Sequence, residues 1–332
     1  MLRLALVANV RTPPYGNNLN PLVRALASLA EARLFVPTDD LSFTPTGGAA
    51  PAPVPPSLLA PMAAFAPHAV ICLGGGLVIP PEGRAQLPGQ PVLVGIALSD
   101  PQALPTSLEV APAFDLFFTQ DGGSLPRYRE HGVEALYLPL AADPEVFAPP
   151  VAARKSWDVL YVGKWTPYRD ALMSALGEIA AVRVLAYRGE GRWRVPVGPQ
   201  VDDERTLAEE MNRARLVLDP TRVELQPDPA RDAYRITPRA LMAAACGVPP
   251  LVEDRCPLDG LLTPGEEVAT FDGTPAGLAR VIQGLLADPE RRRQMGLAAR
   301  RRVERDHSWA HRARQILDAV AEIRPAFPPA GR

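Results

Sequence analysis

Between Arg231 and Asp254 the chain reads RDAYRITPRALMAAACGVPPLVED, and two guanidiniums, Arg235 and Arg239, bracket Thr237-Pro238 within it. Thr237 has the hydroxyl of an N-cap and Pro238 the ring of a first helical residue, so a helix is predicted to start there and to stop at Gly247. The amino end of a helix carries unpaired N–H groups and the positive pole of the dipole. With two arginines beside it, that end suits a phosphate; the alternative is that both arginines pair with surface carboxylates. Every residue from Ala240 to Cys246 is apolar, so the helix is expected to be buried on all sides.

A second stretch points to the same chemistry. Gly163-Lys164-Trp165-Thr166-Pro167-Tyr168 follows an apolar run and precedes a helical one, a loop shape that presents backbone N–H groups to an anion while Lys164 adds a charge. The spacing is not that of a Walker loop. Lysine occurs only at Lys155 and Lys164, all other basic side chains apart from histidine being arginine. Asp100, after the run Val92–Ile96, reads either as a general base or as the N-cap before Pro101. Gly74-Gly75-Gly76 and Tyr15-Gly16-Asn17-Asn18 also follow apolar runs, and loops at the carboxyl ends of parallel strands are where α/β sheets bind ligands; for the triple glycine, a plain turn is the competing reading.

The elements that must hold these groups alternate strand and helix twice over. Leu2–Val7, Leu34–Val36, Ala69–Leu73, Val92–Ile96 and Asp115–Thr119 read as strands of a first parallel sheet, with helices over Leu19–Leu29 and Leu125–His131. Asp143 to Pro150 breaks the pattern with prolines and reads as a hinge. Trp157–Val162, Val182–Ala186, Leu216–Leu218, Leu251-Val252 and Glu267–Phe271 restart it, with helices over Arg169–Ala181, Asp203–Arg213, Pro275–Leu286, Pro289–Asp306 and Trp309–Ile323. The fold class is therefore α/β, with two Rossmann-like parallel-sheet domains over residues 1–150 and 151–308, a last helix within 309–324 and a tail over 325–332. A length of 332 residues accommodates two such domains. The arginines of the last two helices are expected on solvated faces. The loop over 37–56 reads as a stiff surface loop or a partly mobile lid without chemistry, and the one over 219–234 is long enough to close over a ligand.

Composition excludes several classes. A net charge of -2 gives no electrostatic case for nucleic acid. The apolar start MLRLALVANV is too short for a signal peptide or membrane span and reads as a first β-strand, and a cytoplasmic protein is expected from its cysteines. Cys72, Cys246 and Cys256 lie in or beside apolar runs, without the spacing of a disulfide framework or zinc site.

Seven segments in order carry a resemblance: FDLFFTQDGG with YREHGV, then YLPLAADPEVFAP, WDVLYVGKWTPYR, MNRARLVLDP, TPRALMAAACGVPPLVED, PGEEVATF and ADPERRRQMGLAARRRVERDHSWAHRARQIL. From Asp115 onward the chain resembles glycosyltransferases of the two-domain GT-B architecture, closest to the CgeB-like spore-maturation branch with its group 1 C-terminal domain. The resemblance implies a nucleoside-diphosphate sugar donor on the C-terminal domain, an acceptor on the N-terminal domain, chemistry in the cleft between them, and a final helix that crosses back. By position it implies that Gly163, Lys164 and Arg169 lie near the donor phosphates, that Arg239 precedes the donor helix, that Gly16 and Asn17 form the loop on the acceptor side, and that Asp100 is the acidic residue after an N-terminal-domain strand. Arg235, Lys164, Arg239 and a helix N-terminus would stabilise a departing diphosphate without a metal, and no Asp-x-Asp pair is present. The sequence departs from the pattern where many group 1 transferases carry two glutamates: Met242 and Tyr234 stand there, and a methionine accepts no ribose hydroxyl. A non-catalytic nucleotide- or glycan-binding relative, and a sugar-nucleotide epimerase of the same architecture, are the alternatives.

Overall fold

The computed structural model describes residues 2–8, 19–37, 51–74, 76–151, 154–186, 193–198, 201, 203–220, 236–254, 258 and 260–324. They form two compact units. The first combines the described residues up to Pro139 with those from Trp309 onward; the second takes those between Leu140 and Ser308.

The first unit follows the chain as β1 (Arg3–Val7), α1 (Leu19–Leu29), β2 (Glu31–Phe35), β3 (Ala52–Pro53), α2 (Pro56–Phe65), β4 (Ala69–Leu73), β5 (Leu77–Val78), α3 (Pro81–Arg84), β6 (Val92–Ala97), α4 (Leu104–Val110), β7 (Leu116–Thr119), α5 (Leu125–Glu130) and β8 (Leu136–Tyr137). Six strands make a parallel sheet in the order β2-β1-β4-β6-β7-β8. Its central strands β4 and β6, AVICL and VLVGIA, are buried at every position, the continuous apolar reading of a strand covered on both faces. Gly74 and Gly76 serve as turn residues. They have φ of 78° and 71°, a region open to glycine, and they swing the chain so that β5 pairs with β3 as a separate two-stranded ladder.

The second unit runs β9 (Trp157–Gly163), α6 (Pro167–Gly177), β10 (Val182–Ala186), β11 (Val197–Gly198), α7 (Glu204–Asn212), β12 (Ala214–Asp219), α8 (Pro238–Ala245), β13 (Pro250–Glu253), β14 (Ala269–Phe271), α9 (Pro275–Ala287) and α10 (Pro289–Asp306). Its six parallel strands lie in the order β11-β10-β9-β12-β13-β14, so the strand order reverses between β9 and β12. All five helices open on a side-chain cap: Thr166, Asp203, Thr237, Thr274 and Asp288 each accept an N–H from the first turn, and in four a proline follows. The core gathers Val159, Tyr161, Leu172, Leu176, Leu216, Leu218, Leu251 and Leu278 around β9 and β12.

The last helix, α11 (Trp309–Ile323), belongs to the first unit, where it packs against α1. The buried Arg312 donates from Nε to the carbonyl of Pro139 at 2.7 Å, and Gln315 Nε2 to that of Tyr137 at 2.7 Å. Several arginines of α10 depart from the solvated role expected of them. Arg292 donates to the carbonyls of Leu285 and Leu286 at the end of α9, Arg300 to Ala245 at the end of α8, and Arg302 to Gly260 and Leu261. Unpaired carbonyls collect at helix carboxyl ends together with the negative pole of the dipole, and Arg292 and Arg300 satisfy both, while Arg302 serves the carbonyls of a turn. At Gly296, α10 approaches the turn after α8 so closely that a Cβ would collide with the carbonyl of Gly247.

Candidate functional site

The carboxyl ends of β9 and β12, where the sheet of the second unit reverses, hold most of the residues singled out in the sequence. β9 ends at Gly163 and runs through Lys164, Trp165 and Thr166 into α6. β12 ends at Asp219, and Thr237 and Arg239 open α8. The helix is buried from Ala240 to Ala245, as its apolar sequence demands.

The group that ties this corner together is Asp219, which is buried and was not anticipated. Its carboxylate accepts the Thr237 N–H at 3.2 Å, the Thr237 hydroxyl at 2.8 Å and the Arg239 Nε–H at 3.0 Å, and Arg239 Nη2 lies 2.8 Å away as the near atom of an ion pair. Arg239 is thus half of an ion pair, though with a buried carboxylate and not the surface one that the alternative reading expected. The pair fixes where its guanidinium lies, and Nη1 rests against Gly163. A Cβ on Gly163 would stand 3.0 Å from that nitrogen and would collide with the Tyr161 hydroxyl, so the backbone can pass there only as glycine. The glycine brings the β9–α6 loop and the α8 arginine into contact.

Beneath the loop, Tyr161 donates its hydroxyl to the carbonyl of Lys164 at 2.9 Å, and Arg169 Nη1 donates to the same oxygen at 3.2 Å. Arg169 is buried, with its guanidinium 5.9 Å from the centre of the Tyr161 ring. It holds the loop from below, while the Lys164 side chain is exposed above it. One strand further along, buried Glu253 ends β13, and the Tyr168 hydroxyl lies 2.8 Å from its Oε1 and 2.9 Å from the carbonyl of Gly273. Met242 is buried in α8 and offers an apolar thioether where the resembled family has a glutamate. Arg235 and Tyr234 lie outside the described residues.

In the first unit, Asp100 is fully buried at the end of β6. Its carboxylate accepts hydroxyls from Ser107 at 2.9 Å, Thr119 at 2.7 Å and Tyr128 at 2.6 Å. Burial, and then the charge of Asp100, drive the Tyr128 phenol far above its ordinary range, so it stays a donor. Three hydroxyls on an enclosed carboxylate suit an anchor that pins α4, β7 and α5 to the strand end. They do not suit a base that must meet a substrate proton. Neither is Asp100 an N-cap: α4 begins at Leu104 with no side-chain cap. Gly16 and Asn17 lie outside the described residues.

The two units repeat one device. Ser99-Asp100-Pro101 and Leu218-Asp219-Pro220 each close a central strand with a buried aspartate that collects donors from the next elements. The sequence signal that marks Asp100 was therefore present at Asp219 too. Tyr161 and Glu253 had no such signal, each being the polar member of an apolar strand. Among the described residues, no group of three or more His, Cys, Asp or Glu side chains is placed to hold a metal ion, and no helix is long and apolar enough to cross a membrane.

Residues 155–318 match the family model described as "Glycosyl transferase-like". Over 77 residues the chain is 36% identical to alpha-maltose-1-phosphate synthase of Mycolicibacterium smegmatis, a match that spans 23% of this chain and only 19% of that protein. Among solved structures, sucrose-phosphate synthase of Thermosynechococcus elongatus is similar at a TM-score of 0.66 and 17% identity, over 98% of this chain and 100% of that one. Anabaena HepE, solved with UDP and glucose, is similar at 0.66 and 13%, over 97% and 100%. The putative UDP-N-acetylglucosamine 2-epimerase of Listeria monocytogenes is similar at 0.56 and 12%, over 100% and 99%. At such identities the likeness gives the fold, which is GT-B: two parallel-sheet Rossmann-like domains. That an epimerase shares it means the chemistry must be read from the site.

Proposed function

We propose that the chain is a glycosyltransferase: the second unit holds a nucleoside-diphosphate sugar, the first unit holds the acceptor, and no metal takes part. The observation that carries this reading is the convergence of Gly163, Lys164, Thr237 and Arg239 on the carboxyl ends of β9 and β12, beside the amino end of α8. Transfer separates positive charge on the sugar from negative charge on the departing diphosphate, and the step is accelerated by whatever stabilises that anion in place. Here the backbone N–H groups at the start of α8, the Lys164 ammonium and a guanidinium held in position by Asp219 supply it. Arg169 shapes the loop from below, and Arg235 would add a second guanidinium. UDP in the HepE structure and the glycosyl transferase-like match over residues 155–318 support a nucleotide-sugar donor.

Asp100 enters this reading as a structural anchor, because its oxygens are enclosed. Gly16 and Asn17 belong to the acceptor side on resemblance, and the acceptor is a glycan, a protein or a small molecule. Membership of the CgeB-like branch rests on the ordered segments from Asp115 onward, and a cytoplasmic location on three thiols without disulfide spacing. The test is calorimetry with UDP, GDP and ADP, alone and as sugar conjugates, using Arg239→Ala as control. Saturable binding of one of them, lost in the variant, is expected; failure of every nucleotide to bind would sink the reading.

One observation favours a second reading. Met242 is apolar and buried, so the carboxylate that would grip a ribose is missing from α8. A binding protein without turnover fits that substitution. Nucleotide binding with neither transfer to a panel of acceptors nor donor hydrolysis would decide for it.

A further inference from the structure

We propose that the second unit carries a separate anion site, at the amino-terminal ends of its central strands, that takes a small soluble phosphate-bearing molecule. The two lysines of the chain bracket β9. Lys164 follows its carboxyl end in the site described above, and Lys155 precedes its amino end, at the opposite edge of the same sheet. Lys155 lines a pocket of about 820 Å³, within the range of small-molecule sites. One wall is formed by Val146, Ala148 and Pro150 with Arg154, Lys155 and Ser156. The other is a face of α7, where Arg205, Ala208, Glu209 and Asn212 recur at helical spacing.

The lining has the composition of an anion site. Arg154, Lys155, Arg205 and Arg213 face a single carboxylate, Glu209, over an apolar floor of Val146, Ala148, Pro150 and Ala208. Arg213 is held by Glu210 at 2.9 Å, whereas Arg154 and Arg205 enter no ion pair among the described residues. Lys155 is fixed in advance: its ammonium donates to the carbonyls of Asn212 at 2.9 Å and Ala214 at 2.8 Å, which leaves one of its three N–H bonds for a ligand. A cation already ordered by the protein loses little freedom when an anion arrives. Burial holds this ammonium below the ordinary amine range, and Arg215 and Arg292 add to the effect; an anion in the pocket would offset both.

Phosphate rather than a carboxylate is the group that several convergent cations suit, since it offers more oxygens and charge to share among them. A concave pocket with an apolar floor suits a soluble molecule with a neutral body better than a flat lipid surface does. The experiment uses the full chain carrying Arg239→Ala, so that the site at the other edge of the sheet is disabled, and titrates it with inorganic pyrophosphate and glucose 1-phosphate at about 0.15 M salt. Saturable binding of at least one is expected, weakened roughly tenfold or more by Arg154→Ser with Arg205→Ser. Both arginines are exposed, so the paired variant should keep the thermal unfolding curve of its parent. Lys155→Met should weaken binding independently. Absence of saturable binding, or binding that the paired variant leaves unchanged, would overturn the proposal. So would a protein that sediments with phosphatidic acid vesicles yet binds neither soluble phosphate.

Discussion

Replacing Asp219 by asparagine probes the corner on which the candidate site is built. The substitution keeps the shape and one carbonyl oxygen but removes the charge from a group that accepts hydrogen bonds from the Thr237 N–H and hydroxyl and from Arg239 Nε, and that pairs with the whole guanidinium. Truncating one partner of a buried ion pair costs about 3–5 kcal/mol, and a hydrogen bond to a charged group about 1.5–3 kcal/mol. The asparagine oxygen keeps part of this, and the Arg239 side chain, 16% exposed, regains some hydration. A loss of about 2–4 kcal/mol follows, equivalent for a domain of this size to a fall in Tm of roughly 5–15 °C. Calorimetric unfolding measures it, and a double-mutant cycle isolates the pair. Arg239→Ala strands the carboxylate, Asp219→Asn strands the guanidinium, and the double variant strands neither charge. The double variant should therefore be less damaged than the sum of the singles, by about 1–3 kcal/mol. A cycle that closes without coupling, or an Asp219→Asn protein that melts with its parent, would refute the claim that this pair organises the site.

Three further outcomes are expected. Gly163→Ala should cost about 1–3 kcal/mol and weaken nucleotide binding together, because its methyl displaces both Tyr161 and Arg239; unchanged urea midpoints and affinity would contradict the close approach. Tyr128→Phe should cost about 1–3 kcal/mol by removing a hydroxyl from buried Asp100, with little effect on donor affinity, as read by urea unfolding and UDP calorimetry. Burial pushes Cys72 and Cys246 from an ordinary 9.0 up to about 12. Because the unfolded thiols ionise first, the stability each contributes is complete below pH 9 and declines by about 1.4 kcal/mol per pH unit as pH rises toward 12. Urea midpoints should fall between pH 9 and 11, and by less in Cys246→Ala.

How much of this was visible in the sequence differs between the units. In the second, five helices open on Thr or Asp, mostly with proline behind them, so local chemistry announces each start; the predicted span Pro289–Asp306 matches its helix at both ends. In the first, α2 and α4 have no side-chain cap and α2 carries Pro61 in its interior, so α2 leaves no sign in the sequence and a start for α4 is offered only at Pro101, three residues early. They are held by tertiary burial, as Leu59 and Met62 in α2 illustrate. The candidate site's loop and helix start were legible because a glycine, a lysine, an N-cap threonine and an arginine stand at the ends of apolar runs. Their electrostatic partner was not. Asp219 meets Thr237 and Arg239 across a chain separation of 18 and 20 residues, and they come together because β12 ends and α8 begins at the same place in the unit. Asp100 was located correctly after β6, but a charge inventory says nothing of depth, and depth makes it an anchor.

With lysine confined to the two ends of β9, the chain comes with a built-in chemical reporter. An amine-directed reagent can mark only Lys155, Lys164 and the amino terminus, and mass spectrometry reads each peptide separately. A ligand at the carboxyl end of the sheet would shield Lys164, and one at the amino end would shield Lys155. Lys155 should also label slowly without any ligand, since two backbone carbonyls hold its ammonium. A single footprinting series on the unaltered protein would then report the occupancy of both edges of one sheet at once.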